Sequence, residues 1–582
     1  MTSLKWFYSF LKPYKKRMLL GLVLVTIVAA LALVNPYISG MLVDDVIIGN
    51  NKDILGILIL CLILTTLCRS AVRLSYLSIF EKVSQNVLFN MRSHVYRRLM
   101  QQDFSFYNKN RTGDLMSRQT GDMDAIRHFV SYVIYCTYEN TLMFVFALIM
   151  VFSVNVKLAC CMILILPFTA LNTYCQSKSV KPAFDNIRQR FSSLNSFAQE
   201  NISGNRVIKA FAKEDFEIEK FQKENGGYKE AELAAARIWV KYIPVFEFLS
   251  SILVIILMLV GGYMVIQGEM TMGAWVTVNG YLWMLNNPLR VFGWLINDYQ
   301  RFRTSAEKIY YTVSQEPNLK MLSKPYTKEK FNGDVEFRNV SYKADDEDII
   351  NDVSFKVKSG QTVGIIGATG SGKSTIMNLV CRFFDATDGA VLIDRVNVKN
   401  LELHNLRDNI GIAMQDVFLF SDTIEGNIAY GKPDCTLEDV VRVAKIANAD
   451  GFIREMPEGY DTIVGERGMG LSGGQKQRIS LARALLKNPS IIILDDTTSA
   501  VDMDTETKIQ NALDSNEDNT TVFIIAHRIS SIKDADLILV LDHGVILEQG
   551  THESLLEKQG YYAAVFNHQY GEFDKFKREG VF

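Results

Sequence analysis

Gly367-Ala368-Thr369-Gly370-Ser371-Gly372-Lys373-Ser374 reads G-x-x-x-x-G-K-S, with Thr375 next. The apolar run Thr362-Val363-Gly364-Ile365-Ile366 before it reads as a buried strand. Ile376-Met377-Asn378-Leu379-Val380 after it reads as the start of a helix. A phosphate-binding loop requires that strand–loop–helix context. Glycines let consecutive N–H groups turn inward onto phosphate oxygens with no Cβ in the way. The helix N-terminus adds partial positive charge. Lys373 has the reach for β- and γ-phosphates, and the Ser374 hydroxyl suits Mg²⁺. The bland alternative is a chance glycine-rich turn, and the residues downstream argue against it.

Ile491-Ile492-Ile493-Leu494 reads as a buried strand ending in Asp495, a carboxylate placed to hold Mg²⁺. Leu471-Ser472-Gly473-Gly474-Gln475 opens a helix carrying Arg478 and Arg483. Its glycines and helix N-terminus form a second anion cradle. Gln415 follows the apolar stretch 410–414 and can orient Mg²⁺ or water. His527 closes the strand that begins Val522-Phe523-Ile524-Ile525 and can contact a γ-phosphate. A lone Gln or His at a strand end is ordinarily structural. Four such features in this order point to one nucleotide site.

The chain has 582 residues, too many for a single core, so two or three domains are expected. A net charge of −2 gives no basic field for nucleic acid. The eight cysteines show no metal-binding spacing and read as reduced packing residues. Hydrophobic residues, 48% of the chain, concentrate before about position 300. Six segments there suit a bilayer span of roughly 20 residues: 18–38, 54–80, 129–154, 158–176, 244–267 and 272–297. Arg92, Arg97, Arg98, Lys109, Arg111 and Arg118 lie between spans two and three. Lys178, Lys181, Arg188, Arg190, Arg206 and Lys209 lie between four and five. The alternate loops, 44–53, 154–157 and 267–272, are short and nearly free of basic residues. The positive-inside rule therefore places both termini and the long loops in the cytoplasm.

The N-terminus carries Leu4, Phe7, Tyr8 and Leu11 at helical spacing among lysines, as a helix in the membrane interface would. Ala30-Leu31-Ala32 imitates a signal-peptide cleavage site, but the apolar run continues past it. The long loops read as helical extensions of the spans. They are broken around Arg111–Arg118 and Phe211–Phe221, each break suited to a short crosswise helix. The sequence divides into a transmembrane domain at 1–317, a polar linker at 318–333 and an α/β domain at 334–582.

The set Gly367–Ser374, Gln415, Leu471–Gln475, Asp495, Ser499-Ala500-Val501-Asp502 and His527 resembles the ATP-binding cassette transporters. Six spans ahead of the cassette on one chain resemble the half-transporter exporters of that family. The resemblance implies the exporter architecture, with ATP and Mg²⁺ as cofactors. It implies ATP sandwiched between the phosphate loop of one cassette and the Leu471–Gln475 signature of a second chain. Residues 367–375, 471–475 and Asp502 then contact nucleotide. Ser374, Gln415 and Asp495 hold the metal, while Asp496, Gln415 and His527 serve hydrolysis.

Two positions depart from the family pattern. A glutamate that polarises the attacking water ordinarily follows the metal-binding aspartate; here it is Asp496, one methylene shorter. Loss of a well-placed general base costs about 10²–10⁴ in rate. The position of the tyrosine that stacks on adenine is Ala344, and Tyr342 faces the core by strand alternation. The expectation is thus one subunit of a heterodimer whose own site is degenerate, as in bacterial multidrug-type exporters. A homodimeric exporter or lipid flippase, and an ATP-gated channel or regulatory subunit, remain as alternatives. The expected location is a bacterial plasma or inner membrane. The substrate, whether small molecule, lipid or peptide, is not legible.

Asn279, Asn286, Arg290 and Asn297 fall in a narrow stripe of span six. Arg69, Arg73, Glu139 and Glu247 add charge within or beside other spans. Polar residues in spans face a cavity or a partner helix. A translocation pathway and internal helix–helix contacts are both open readings.

Overall fold

The computed structural model describes residues 2–320, 322–344, 347–496, 508 and 519–578. The chain separates into two compact units. One comprises Met1–Gln102 and Asn110–Glu316; the other comprises Asp103–Lys109 and Pro317–Phe582.

The first unit is helical. Its elements are α1 (Ser3–Leu11), α2 (Lys15–Met41) and α3 (Leu55–Met100). After α4 (Phe104–Lys109) come α5 (Thr112–Gln119), α6 (Gly121–His128), α7 (Ile134–Val154), α8 (Val156–Ile163) and α9 (Leu166–Ser203). The unit closes with α10 (Asn205–Ala210), α11 (Glu214–Ile256), α12 (Gly262–Ile266) and α13 (Met272–Ser314). Several run far beyond a bilayer's thickness. At 1.5 Å per residue, the 46 residues of α3 span about 70 Å. A buried apolar cluster including Ala29, Met143, Leu158, Leu253 and Tyr281 holds the bundle together. Leu19, Leu67, Leu259 and Ile266 stay exposed. Apolar surface on this scale has to face something other than water.

Among the described residues, five helical stretches are long and apolar enough to cross a membrane. They are Ser3–Ile48, Lys52–Met100, Thr112–Val154, Val156–Ser203 and Glu214–Ile266. The sixth expected span lies in α13, whose 43 residues include Asn279, Asn286, Asn287 and Arg290. Length suffices there; polarity keeps it below the other five.

Two local readings differ from the sequence expectation. Part of the apolar face of α1 is turned to protein: Trp6 and Phe7 are buried, while Leu11 is half-buried. The Phe7 ring lies 4.9 Å from Phe302 and 6.2 Å from Phe129. Only Leu4 and Tyr8 remain exposed. An amphipathic stripe looks the same whether lipid or protein covers it. The first loop break also falls ahead of Arg111–Arg118, which forms most of α5. The segment that clusters with the second unit is Asp103–Lys109. Its Asp103 carboxylate accepts hydrogen bonds from the Phe106 and Asn318 backbone N–H groups. Its Phe104 ring lies 4.4 Å from Phe383. The second break is short, with α10 ending at Ala210 and α11 starting at Glu214.

The second unit is built on two sheets. Strands β1 (Val335–Ala344), β2 (Glu347–Val357), β4 (Asp388–Ile393) and β5 (Val396–Asn397) form an antiparallel sheet in the order β2-β1-β4-β5. The larger sheet comprises β3 (Thr362–Gly367), β6 (Ile410–Ala413), β7 (Ile491–Asp495), β8 (Thr521–Ile525), β9 (Leu537–Asp542) and β10 (Val545–Gly550). Its order is β10-β9-β3-β8-β7-β6, parallel except for β10. The parallel strands read as continuous apolar runs because helices and the small sheet cover both faces. Ile366, Ile492 and Leu494 feed one core cluster, while Val363, Ile365, Ile491 and Ile493 feed the other. Besides α4, the described helices of this unit are α14 (Lys373–Val380), α15 (Leu403–Asp408), α16 (Ile424–Ala429), α17 (Leu437–Ile446), α18 (Asp450–Arg454), α19 (Gly473–Leu486), α20 (His552–Glu557) and α21 (Tyr561–Arg578).

The stretch read as a linker, 318–333, is anchored rather than loose. Phe331 is buried, and Asp394 accepts hydrogen bonds from Lys328 Nζ (2.6 Å) and from the N–H groups of Asn332 (2.7 Å) and Gly333 (3.1 Å). Burial alone would push the Asp394 carboxyl up. The Lys328 ammonium and the surrounding N–H groups outweigh it and hold that carboxyl below its usual range.

Candidate nucleotide site

The register of the parallel sheet assembles the site. Ile365 pairs with Ile525, and Asp495 also pairs with Ile525. Ala413 pairs with Leu494. The carboxyl ends of β3, β6, β7 and β8 therefore finish along one edge. In open α/β sheets, ligands bind outside that edge. The residues just past the four ends are the phosphate loop, Gln415, Asp495–Asp496 and His527.

They converge on one cleft of about 610 Å³. Thr369, Gly370, Gly372, Lys373, Ser374, Thr375, Gln415, Asp495 and His527 all line it. Glu347, Asp348, Ile349 and His543 line it as well, and no motif or spacing marks them for that role. They lie at the start of β2 and in the β9–β10 turn. Ala344 ends β1, while Tyr342 is half-buried, its ring 5.3 Å from Phe384.

The loop's backbone explains its glycines. Gly370 has φ +80° and Gly372 φ +98°, a left-handed region that side chains disfavour. A Cβ on Gly372 would also stand 2.6 Å from Ile350 Cδ1. Lys373 is the first residue of α14 and is buried. Its Nζ donates to the carbonyls of Gly367 and Ala368, each at 2.8 Å. Burial pushes the Lys373 ammonium down from its usual range, and the charges of Asp495 and Asp496 oppose that shift. The Asp495 carboxyl is pushed up, first by burial and also by Asp496. A hydrogen bond from Ser374 and the charges of Lys373 and His527 pull it back.

Asp496 takes φ +48°, a conformation that Asp tolerates better than most side chains. Its N–H donates to Ile525 O at 3.0 Å, and its carbonyl accepts from Gln477 Nε2 at 3.3 Å. Asp496 is not among the described residues lining the cleft.

The Leu471–Gln475 signature lies apart from this cleft, at the start of α19. Ser472 is the N-cap: its hydroxyl accepts from Gln475 N–H, and the Gln475 side chain accepts from Ser472 N–H at 2.9 Å. This capping box fixes the first turn, leaving the N–H groups of Gly473 and Gly474 at a positive helix end. Asp502 and the rest of Ser499–Asp502 lie outside the described residues.

A glycine-rich loop, its lysine, a carboxylate at the next strand end and a separate anion cradle define a nucleotide-hydrolysing motor. Fused to an apolar helical unit, they define the motor subunit of a membrane transporter. The comparisons agree. The ABC transporter transmembrane region model matches residues 18–289, and the ABC transporter model matches 350–499. An uncharacterized ABC transporter ATP-binding protein, YknU of Bacillus subtilis (strain 168), is 39% identical over 98% of both chains. A putative multidrug export ATP-binding/permease protein of the same organism, YgaD, is 34% identical over 98% of this chain and 100% of its own. An ATP-dependent lipid A-core flippase of Syntrophus aciditrophicus (strain SB) is 32% identical, covering 98% and 95%. A bacterial Atm1-family ABC exporter solved with ATP bound superposes with a TM-score of 0.82, at 28% identity over 96% of this chain and 99% of that one.

The chain belongs to the ABC transporter family. It is an exporter-type half-transporter, an ATP-binding and ATP-hydrolysing subunit in a multi-pass inner-membrane protein. Exporters of this fold work as dimers within the lipid bilayer.

Proposed function

We propose that this chain is the degenerate-site half of a heterodimeric exporter that couples ATP binding and hydrolysis to outward movement of a substrate. One observation carries the reading: Asp496 stands where a catalytic glutamate is expected, directly after Asp495 at the end of β7. A carboxylate one methylene short falls outside hydrogen-bond reach of the attacking water. Even a 10²-fold loss at this site raises its barrier by about 2.7 kcal/mol. The other composite site, formed by this chain's Leu471–Gln475 and the partner's phosphate loop, then carries the turnover.

The cleft lining of Thr369, Gly370, Gly372, Lys373, Ser374 and Thr375 supports the nucleotide contacts proposed for residues 367–375. Ser374 Oγ, the Asp495 carboxylate and the Gln415 side-chain oxygen form a hard oxygen set that suits Mg²⁺. When bound there, Mg²⁺ neutralises charge on the transferring phosphoryl group. His527 and Gln415, both on the cleft wall, orient γ-phosphate and water. Asp502 completes the contact set by resemblance alone.

In the membrane unit we propose six spans, the sixth in α13, with both termini and the ATPase domain cytoplasmic. The lower apolarity of α13 has a use. Asn279, Asn286 and Arg290 line a cavity of about 400 Å³ together with Phe246, Ser250 and Trp283. Asn286 Oδ1 and Ser250 Oγ are buried there with no hydrogen-bond partner among the described residues. Such atoms fit a substrate pathway better than helix glue. Asn297 differs, since its Nδ2 bonds Gly293 O in its own helix at 3.3 Å. Glu139 also differs: buried, it accepts from Tyr76 OH at 2.9 Å, an internal contact.

The test is co-purification. The chain isolated from native membrane should bring a second half-transporter with glutamate after its metal-binding aspartate. Recovery of this chain alone, as an active homodimer, overturns the reading.

A further inference from the structure

β8 ends at Ile525, and the Ala526 N–H makes the last strand-like bond, to Ile365 O at 3.2 Å. The backbone beyond it carries His527 to the cleft wall without a neighbouring strand. A single side chain replaces that strand. Gln569 Nε2 donates to His527 O at 2.9 Å, and Gln569 Oε1 accepts from Ile529 N–H at 3.0 Å. One primary amide thus brackets both sides of Arg528, as a neighbouring peptide would in a sheet.

The helix that presents it, α21, is fixed at its own start. Glu548 of β10 accepts from the N–H groups of Tyr561 (2.6 Å) and Tyr562 (3.2 Å). A carboxylate at a helix N-terminus also complements the helix dipole. Tyr562 is fully buried, and its hydroxyl lies 2.7 Å from His552 Nδ1. Val565, Phe566 and Tyr570 pack against the core beside Gln569.

We infer that Gln569 is the positioning residue for His527, and that α21 is the strut holding this loop in its reactive geometry. The inference rests on the reading of His527 as a γ-phosphate contact. An amide held at both ends costs the loop its freedom before ATP arrives, so no reorganisation remains for the chemical step. Gln569 itself is not among the described residues that line the cleft.

The test uses the full-length transporter purified from membrane, with single-turnover hydrolysis of radiolabelled ATP at this chain's site. His527→Ala should slow the step by about tenfold or more. Gln569→Ala should slow it by about tenfold, with ATP affinity changed by less than about twofold. Gln569→Glu keeps the acceptor and the helix packing but sets a charge against His527 O, so it should not restore the rate. The double variant His527→Ala/Gln569→Ala should be no slower than His527→Ala alone, because both act through one group. Amide exchange at Ile529 should quicken in Gln569→Ala and stay slow in Gln569→Glu, which keeps the acceptor. A slow His527→Ala beside wild-type rates in both Gln569 variants overturns the positioning role. So does a double variant whose losses multiply. A wild-type rate for His527→Ala removes the reading beneath it, and the inference with it.

Discussion

Asp495 ends β7 on the cleft wall, and Asp496 turns away from the strand at φ +48°. The charge of Asp496 adds to the burial that pushes the Asp495 carboxyl up. Asp495 receives the Ser374 hydroxyl, and the charges of Lys373 and His527 act on it. On the proposed reading, Asp496→Glu supplies the missing methylene. Single-turnover hydrolysis at this chain's site should then rise by about tenfold or more, toward the upper part of the general-base range. No gain means that reach is not what limits the site. Lys373 makes a different kind of contribution. It is desolvated and bonded to two loop carbonyls, so Lys373→Met exchanges a costly buried charge for a matched shape. Folding stability should change by less than about 1 kcal/mol, while nucleotide affinity falls by about tenfold or more. Equilibrium binding of a fluorescent ATP analogue, set beside thermal unfolding, separates the two.

At the scale of elements, the phosphate loop shows what a linear sequence can carry. Its chemistry demands consecutive residues at fixed spacing, so strand, loop and helix were legible from 362–380 alone. The same holds for the helix start at Leu471–Gln475 and for the strand before Asp495. Contacts between elements distant in sequence left no such trace. Gln569 stands 42 residues from His527. Glu347–Ile349 and His543 reach the cleft only because β2 and the β9–β10 turn happen to border it. The packing of α1 was hidden for a related reason, since its stripe does not name what covers it. Two predictions belong here. Gly370→Ala meets no atom but must hold φ +80°, so it should cost about 1–2 kcal/mol. Gly372→Ala adds the clash with Ile350 and should cost more; denaturant unfolding of the ATPase unit reads the difference. The anchor of residues 328–334 on Asp394 should respond to acid. Its folded carboxyl lies below the ordinary aspartate value of 3.8, so its stabilisation is complete above that value and lost as pH falls through the folded one. Hydrogen exchange at Asn332 and Gly333 should accelerate in that window. In Asp394→Asn it should be fast at every pH.

For the whole molecule, two units of different composition share one chain, and only one of them is legible to its last motif. Five stretches of the membrane unit are long and apolar enough to cross a membrane, and α13, where the sixth span is proposed, is more polar. Of the stripe read from spacing, Asn279, Asn286 and Arg290 gather around one cavity, while Asn297 bonds within its own helix. Topology is open to direct measurement. In a cysteine-free background, an impermeant maleimide should label a cysteine at Asn50 in intact cells. One at Lys109 should react only after permeabilisation; the reverse pattern inverts the proposed orientation. Arg290→Met should change substrate-stimulated ATPase by about tenfold while basal ATPase stays near wild type. The central claim is asymmetry between two ATP sites, and turnover of the assembled transporter tests it most directly. ATPase should be measured for this chain with its co-purified partner, in three forms: unaltered, with the partner's catalytic glutamate changed to glutamine, and with Asp496→Asn. The account predicts near-complete loss in the second and little loss in the third. Robust ATPase from this chain alone, abolished by Asp496→Asn, would contradict it.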